Sequence, residues 1–191
     1  MENLTPWRVI QDIKREYAGH SLTFTFSLYE SGGQGVTKYR YIKRIDSDEL
    51  NRQKLLTGLV QNEEASINSR LYLDGKIRYI PMVDAVIESL DEIEGIIKVF
   101  KNYSDKPLYI FSSGRSYHIY TLKLITVRDW MKFNGELLLL NPPGTEKVID
   151  SRWIGHSLVQ GFGALRLTCN SQYYLKAPEL VKIIDDNASN E

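Results

Sequence analysis

The stretch Leu108-Tyr-Ile-Phe-Ser-Ser-Gly-Arg-Ser-Tyr-His-Ile-Tyr120 turns back on itself. Apolar residues lead a strand over 107–112 into Ser112-Ser113-Gly114, a turn that offers hydroxyls and unhindered backbone N–H groups. A second strand, over 116–124, then carries Ser116 and His118. Being two apart, these side chains share one face. A hydroxyl, an imidazole and the Arg115 guanidinium are the kinds of donor that converge on phosphate oxygens. Taken alone, a single histidine in a strand reads as a packed or surface residue with no special chemistry.

Working toward the N-terminus, Ser89 and Glu92 form a capping box that starts a helix with Leu90, Ile93, Ile97 and Phe100 on one stripe. Strands are expected at 70–74 and 77–84, flanking the Asp74-Gly75 turn, and a polar loop at 61–69. A helix spans about 47–60, with Leu50, Leu55, Leu56 and Leu59 as its apolar side. Strands over 21–30 and 36–44 make a hairpin through Ser31-Gly-Gly-Gln-Gly35, and a helix covers 6–18. Toward the C-terminus, Thr126 and Asp129 cap a short helix through Trp130, and Leu137–Leu140 reads as a short buried strand. Residues 151–160 read as helix, 164–168 as strand and 178–185 as a last helix beginning at Pro178. Hairpins and helices mix without strict alternation, so the class is α+β with a partly antiparallel sheet. The expected organisation is a helix and β-hairpin unit over 1–69, a core over 70–185 and a disordered tail at 186–191.

The 191 residues suffice for one good-sized core. Lys plus Arg number 24 and so do Asp plus Glu, so any basic surface is local. One such patch is the second hairpin arm, where Lys38, Arg40, Lys43 and Arg44 interleave with Tyr39 and Tyr41. That combination can track phosphates and stack bases, or can be an ordinary solvated face. The single cysteine, Cys169, excludes an internal disulfide and a cysteine-based zinc site and suits a reducing cytoplasm. No apolar run reaches the length of a membrane span, and no Walker loop, nucleophile elbow or zinc-protease helix is present.

Ser113-Gly-Arg-Ser-Tyr-His118 resembles motif II of the archaeo-eukaryotic primase superfamily, a strand with Ser-x-His after a Ser-Gly-Arg turn. Val148-Ile-Asp150 and the later Ala164-Leu-Arg-Leu-Thr168 are similar to its third motif. The first motif, a pair of acids two apart on a core strand, corresponds to Ile80-Pro-Met-Val-Asp-Ala-Val86. Here Asp84 stands alone, with Met82 or Val86 where the second acid would be. The resemblance covers about 77–170.

It implies a primase-polymerase core with an RNA-recognition-like sheet packed by helices. Within it, Asp84, His118 and Asp150 would be catalytic, and Asp84 and Asp150 would hold Mg²⁺ or Mn²⁺. Ser113, Arg115, Ser116, His118 and Arg166 would bind a nucleoside triphosphate. The implied activity is nucleotidyl transfer on a DNA or RNA template. The alternative is a catalytically degenerate primase-like binder, working with a partner protein in a mobile-element or defence assembly. Asp150 is equally placed to cap the helix that follows it, and His156 to pack or cap. Asp74 is a stand-in for the missing acid only if the fold brings it close.

Overall fold

The computed structural model describes residues 4–30 and 38–185. The Ser31–Gly35 turn, the tail at 186–191 and the side chains of Lys38 and Arg40 lie outside the described residues. The chain forms α1 (Trp7–Glu16), β1 (Leu22–Glu30), β2 (Lys38–Asp46), α2 (Arg52–Thr57), β3 (Glu63–Leu73), β4 (Lys76–Tyr79) and β5 (Met82–Ala85). A 3₁₀ turn at Leu90–Ile93 then leads into α3 (Glu94–Lys101), β6 (Leu108–Ser112), β7 (Tyr117–Thr121), α4 (Val127–Leu138), α5 (Ser151–Gln160), β8 (Ala164–Arg166) and β9 (Glu179–Ile184).

Two sheets result. The first has the order β2-β1-β3-β4, with β8 beside β3, and the second has the order β5-β7-β6-β9. Every strand pairing among the described residues is antiparallel. The run β5-α3-β6-β7-α4, with β7 between β5 and β6, matches the first five elements of the β-α-β-β-α-β unit of RNA-recognition domains. In place of that unit's last strand, β9 takes the free edge of β6. The α+β expectation holds, with sheets antiparallel in their described pairings.

One apolar cluster joins Phe24 and Phe26 of the first sheet to Met82, Phe111 and Tyr120 of the second. Helix α1 adds Trp7, Ile10 and Ile13, and the Trp7 ring stacks on Phe26 with centroids 6.0 Å apart. A second cluster packs Val83, Ala85, Ile110 and Ile119 against Ile96 and Phe100 of α3 and Trp130 and Phe133 of α4. Strand β5 therefore buries Val83 and Ala85 toward the helices and Met82 toward the first sheet.

Several local expectations are corrected. Residues 61–69 are not a loop, because β3 begins at Glu63 and runs across position 69. Its polar side chains are buried beside partners: Ser27 Oγ donates to Asn68 Oδ1 at 2.7 Å, and Thr168 Oγ1 donates to Glu64. An inward polar face hides the alternation from a hydrophobicity reading. Residues 178–185 form β9 rather than a helix, as the β-branched Val181, Ile183 and Ile184 favour once β6 offers an edge.

Leu137 is no strand residue. It continues the Trp130–Phe133 stripe of α4, which runs on to Leu138. The strand expected over 77–84 is broken near Pro81, so β4 and β5 lie in different sheets. The helix expected over 47–60 shrinks to α2, which starts behind Asn51, whose side chain accepts from the Lys54 amide. The Ser89–Glu92 capping box forms as read.

Candidate functional site

The end of the second sheet meets β8 at a cavity of about 260 Å³. Strand pairing builds one wall, because Asp84 on β5 lies directly opposite His118 on β7. Residues paired this way share a face, so the carboxylate and the imidazole project to the same side. The tight turn between β6 and β7 adds Ser113, Arg115 and Ser116. Gly114 makes that turn possible with φ +111°, a conformation that side chains with a Cβ rarely adopt.

A short hydrogen-bond relay holds these groups. Ser116 Oγ donates to Asp84 Oδ1 at 2.7 Å, and the Ser113 and Ser116 hydroxyls lie 2.7 Å apart. His118 is only 4% exposed, and its Nδ1 has no hydrogen-bond partner. Burial pushes the imidazole down to about 3, and the Arg166 guanidinium adds to this. The ring is therefore neutral at physiological pH and offers one N–H donor. Burial lifts the Asp84 carboxyl to about 6; the Ser116 hydrogen bond opposes the rise and the nearby Asp150 charge adds to it.

Arg166 reaches the cavity from β8, but it is 5% exposed and committed to backbone. Its Nη1 donates to the carbonyls of Thr168 and Lys176, and its Nη2 donates to the Ser113 carbonyl at 3.0 Å. The guanidinium also stacks over the Tyr174 ring at 3.8 Å. It thus joins β8, the segment after it and the Ser113 turn. Arg115, by contrast, is exposed at the cavity and makes no hydrogen bond or ion pair among the described residues.

Asp150 lies next to Asp84 along the backbone, its amide donating to the Asp84 carbonyl at 3.1 Å. Its carboxylate caps α5, with one oxygen accepting from the amides of Arg152 at 2.9 Å and Trp153 at 3.1 Å. It is not among the cavity-lining groups. Asp84, His118 and Asp150 are therefore brought together, with Asp84 and His118 on the cavity wall and Asp150 one hydrogen bond behind.

No group of three His, Cys, Asp or Glu residues able to hold a metal is present among the described residues. The nearby acidic donor set is two carboxylates, Asp84 on the cavity wall and Asp150 behind it. It falls short of the carboxylates that a two-metal transfer uses. Met82, a candidate position for the second acid, is 1% exposed and packed between the sheets, whereas Val86 just beyond β5 is 37% exposed.

Other sequence candidates lie elsewhere. Asp74 is committed to His20, with Nδ1–Oδ2 at 2.7 Å, and to the Ser21 amide. His156 is exposed on α5 and does not line the cavity. Lys43 and Arg44 pair with Phe26 and Thr25, so these neighbours point to opposite faces of β2, with Arg44 stacked on Tyr72 at 4.9 Å. They do not form one continuous basic face. The aromatic residues on the cavity, Tyr29, Trp153, Tyr173 and Tyr174, were not singled out from the sequence. No motif spacing marks them, although the doublet Tyr173-Tyr174 so soon after Arg166 is a usable signal.

The mixed helices and antiparallel sheets, with a Ser-x-His strand in the second sheet, are consistent with a primase-like domain. The chain belongs to the family described as AEP-like, archaeo-eukaryotic primase 1D-like, which matches residues 44–179, more than half of its length. No curated protein and no solved structure matches it. Membership supports a nucleotidyltransferase-like or nucleic-acid-related role. Among the described residues, no helix is long and apolar enough to cross a membrane.

Proposed function

We propose that this protein binds a nucleoside triphosphate in the cavity beside His118, together with one Mg²⁺ or Mn²⁺, as a primase-like module acting on a DNA or RNA strand. The observation that carries the reading is His118 itself. A buried ring without a hydrogen bond is costly unless something else satisfies it, and here it borders a cavity beside a serine pair and a free arginine. In this reading Arg115 and the Ser113–Ser116 turn hold phosphate oxygens, and the neutral imidazole donates to one of them. Asp84 and Asp150 hold the cation, which when bound neutralises phosphate charge and polarises the phosphoryl oxygens. Arg166 keeps the turn in place.

The buried Met82 favours a degenerate site that binds better than it transfers and serves within a larger assembly with a partner protein. Calorimetric titration with ATP and Mn²⁺ tests the binding. The wild type is expected to bind, and Arg115→Ala, an exposed change that spares the core, to bind about tenfold more weakly. His118→Ala is expected to weaken binding further. No heat from the wild type at millimolar nucleotide would end the proposal. The second reading, nucleotidyl transfer, rests on the Asp84–Asp150 juxtaposition, and a primer-extension assay with Mn²⁺ decides it. Incorporation that disappears in Asp84→Asn would establish an enzyme.

A further inference from the structure

The cavity is chemically two-sided. Its imidazole, carboxylate, free guanidinium and the Ser113–Ser116 hydroxyl pair come from β5, β7 and the β6–β7 turn, with Ser66 of β3 the further serine on its wall. Its aromatic rings come from β1, α5 and the segment that follows β8. Three of those four rings are already committed. Tyr174 carries the Arg166 guanidinium on its face, and its hydroxyl lies 3.4 Å from that of Tyr29. Trp153 is fixed as a wall: its Nε1 donates to the Ala164 carbonyl at 2.9 Å, and Gly163 leaves the space its ring fills. A Cβ at Gly163 would sit 2.8 Å from two carbons of that indole.

Tyr173 differs. It lines the same cavity, is 42% exposed and makes no ring contact, hydrogen bond or ion pair with any described residue. The segment bearing it is nonetheless anchored on both sides. The Asn170 and Ser171 amides each donate to the buried Glu64 carboxylate at 2.8 Å, and the Lys176 carbonyl accepts from Arg166 at 3.0 Å. An uncommitted aromatic face held at a cavity mouth is a stacking platform.

We propose that Tyr173 stacks on the nucleobase of the bound nucleoside triphosphate, which makes the ligand a whole nucleotide rather than a polyphosphate and makes binding insensitive to base identity. The proposal rests on the nucleotide-binding reading above and adds the base subsite to it. Every base has a π-face, so stacking by itself selects for a base without selecting which. The opposite, polar side of the cavity is left for the phosphates.

The test compares ATP, GTP, CTP and UTP with inorganic tripolyphosphate, each with Mn²⁺, by calorimetry on the wild type and on Tyr173→Ala. The four nucleotides are expected to bind within about threefold of one another and about tenfold more tightly than tripolyphosphate. Tyr173→Ala is expected to bring nucleotide affinity down to that of tripolyphosphate and to leave tripolyphosphate unchanged, while Tyr173→Trp keeps the nucleotide preference. Equal affinity of the wild type for ATP and tripolyphosphate would overturn the proposal and leave the phosphate cleft standing. So would a Tyr173→Ala variant that loses only affinity for a single-stranded oligonucleotide, since the ring would then serve a strand. If neither ATP nor tripolyphosphate binds the wild type, the nucleotide reading itself falls, and the base subsite with it.

Discussion

Asp84 and His118 face each other across β5 and β7, and burial moves their titrations in opposite senses. The folded Asp84 carboxyl sits at about 6 against an ordinary 3.8, so between those values the folded state holds a proton that the unfolded chain releases. Stability from this group falls as pH rises through the window, by about 2–3 kcal/mol in total. His118, at about 3 against an ordinary 6.5, works the other way: the unfolded chain takes up a proton that the fold refuses, and stability is lost as pH falls from 6.5 toward 3. Between about pH 4 and 6 the two slopes oppose each other and the wild type is expected to show a flat profile. Asp84→Asn should expose the histidine, giving a urea midpoint that drops steadily on acidification. His118→Gln should expose the aspartate, giving a midpoint that rises from pH 6 to 4. Equal slopes in all three proteins would mean that neither group is buried as described. The residue types and spacing of motif II were legible in the sequence, but these shifts were not, because they come from burial and from Arg166, 48 positions beyond His118.

At the scale of elements, Asp150 carries two duties that can be separated. As the cap of α5, its side chain holds two otherwise unpaired amides. Asp150→Ala should therefore cost about 1 kcal/mol, read as a lower melting temperature, whereas Asp150→Ser keeps a capping oxygen and should stay within a few tenths of the wild type. If the carboxylate also meets the cation, both variants lose the extra stabilisation that Mn²⁺ with nucleotide confers on the wild type. A Ser variant that keeps the full Mn²⁺ response would make Asp150 a cap alone. The α5 start was readable from Asp150-Ser-Arg-Trp, and the β6–β7 hairpin from its Ser-Ser-Gly turn. The first half of β3, over 63–69, and all of β9 were not. Local pattern cannot reveal that the polar residues of β3 find partners on β1 and in the segment after β8, or that β9 finds the edge of β6.

For the molecule as a whole, the cavity exists because two sheets meet, and Arg166 ties the junction. It sits on β8, which extends the first sheet, and donates to Ser113 at the end of the second and to Thr168 and Lys176 in the segment between β8 and β9. Arg166→Leu removes the donor from three carbonyls and should destabilise the fold by on the order of 4 kcal/mol. The expected readout is a lower urea midpoint with an unchanged slope. Tyr174→Phe, which keeps the ring under the guanidinium, should cost far less. A small effect of Arg166→Leu would show that the sheets hold together through the shared apolar cluster alone.

The sequence by itself determined the α+β class, the hairpin with its Ser-x-His strand, the lone Asp84 and the family. Each rests on residues close in sequence whose turn chemistry, capping or motif spacing is local. Only the tertiary structure decided that Asp84 stands opposite His118, that Arg166 is a buried tie and that Asp150 points its carboxylate into a helix cap. It also decided that four aromatic rings complete the cavity. These depend on strand register and on the meeting of two sheets, and register is set by which long-range pairs bury their side chains together, a choice no local stretch of chain contains.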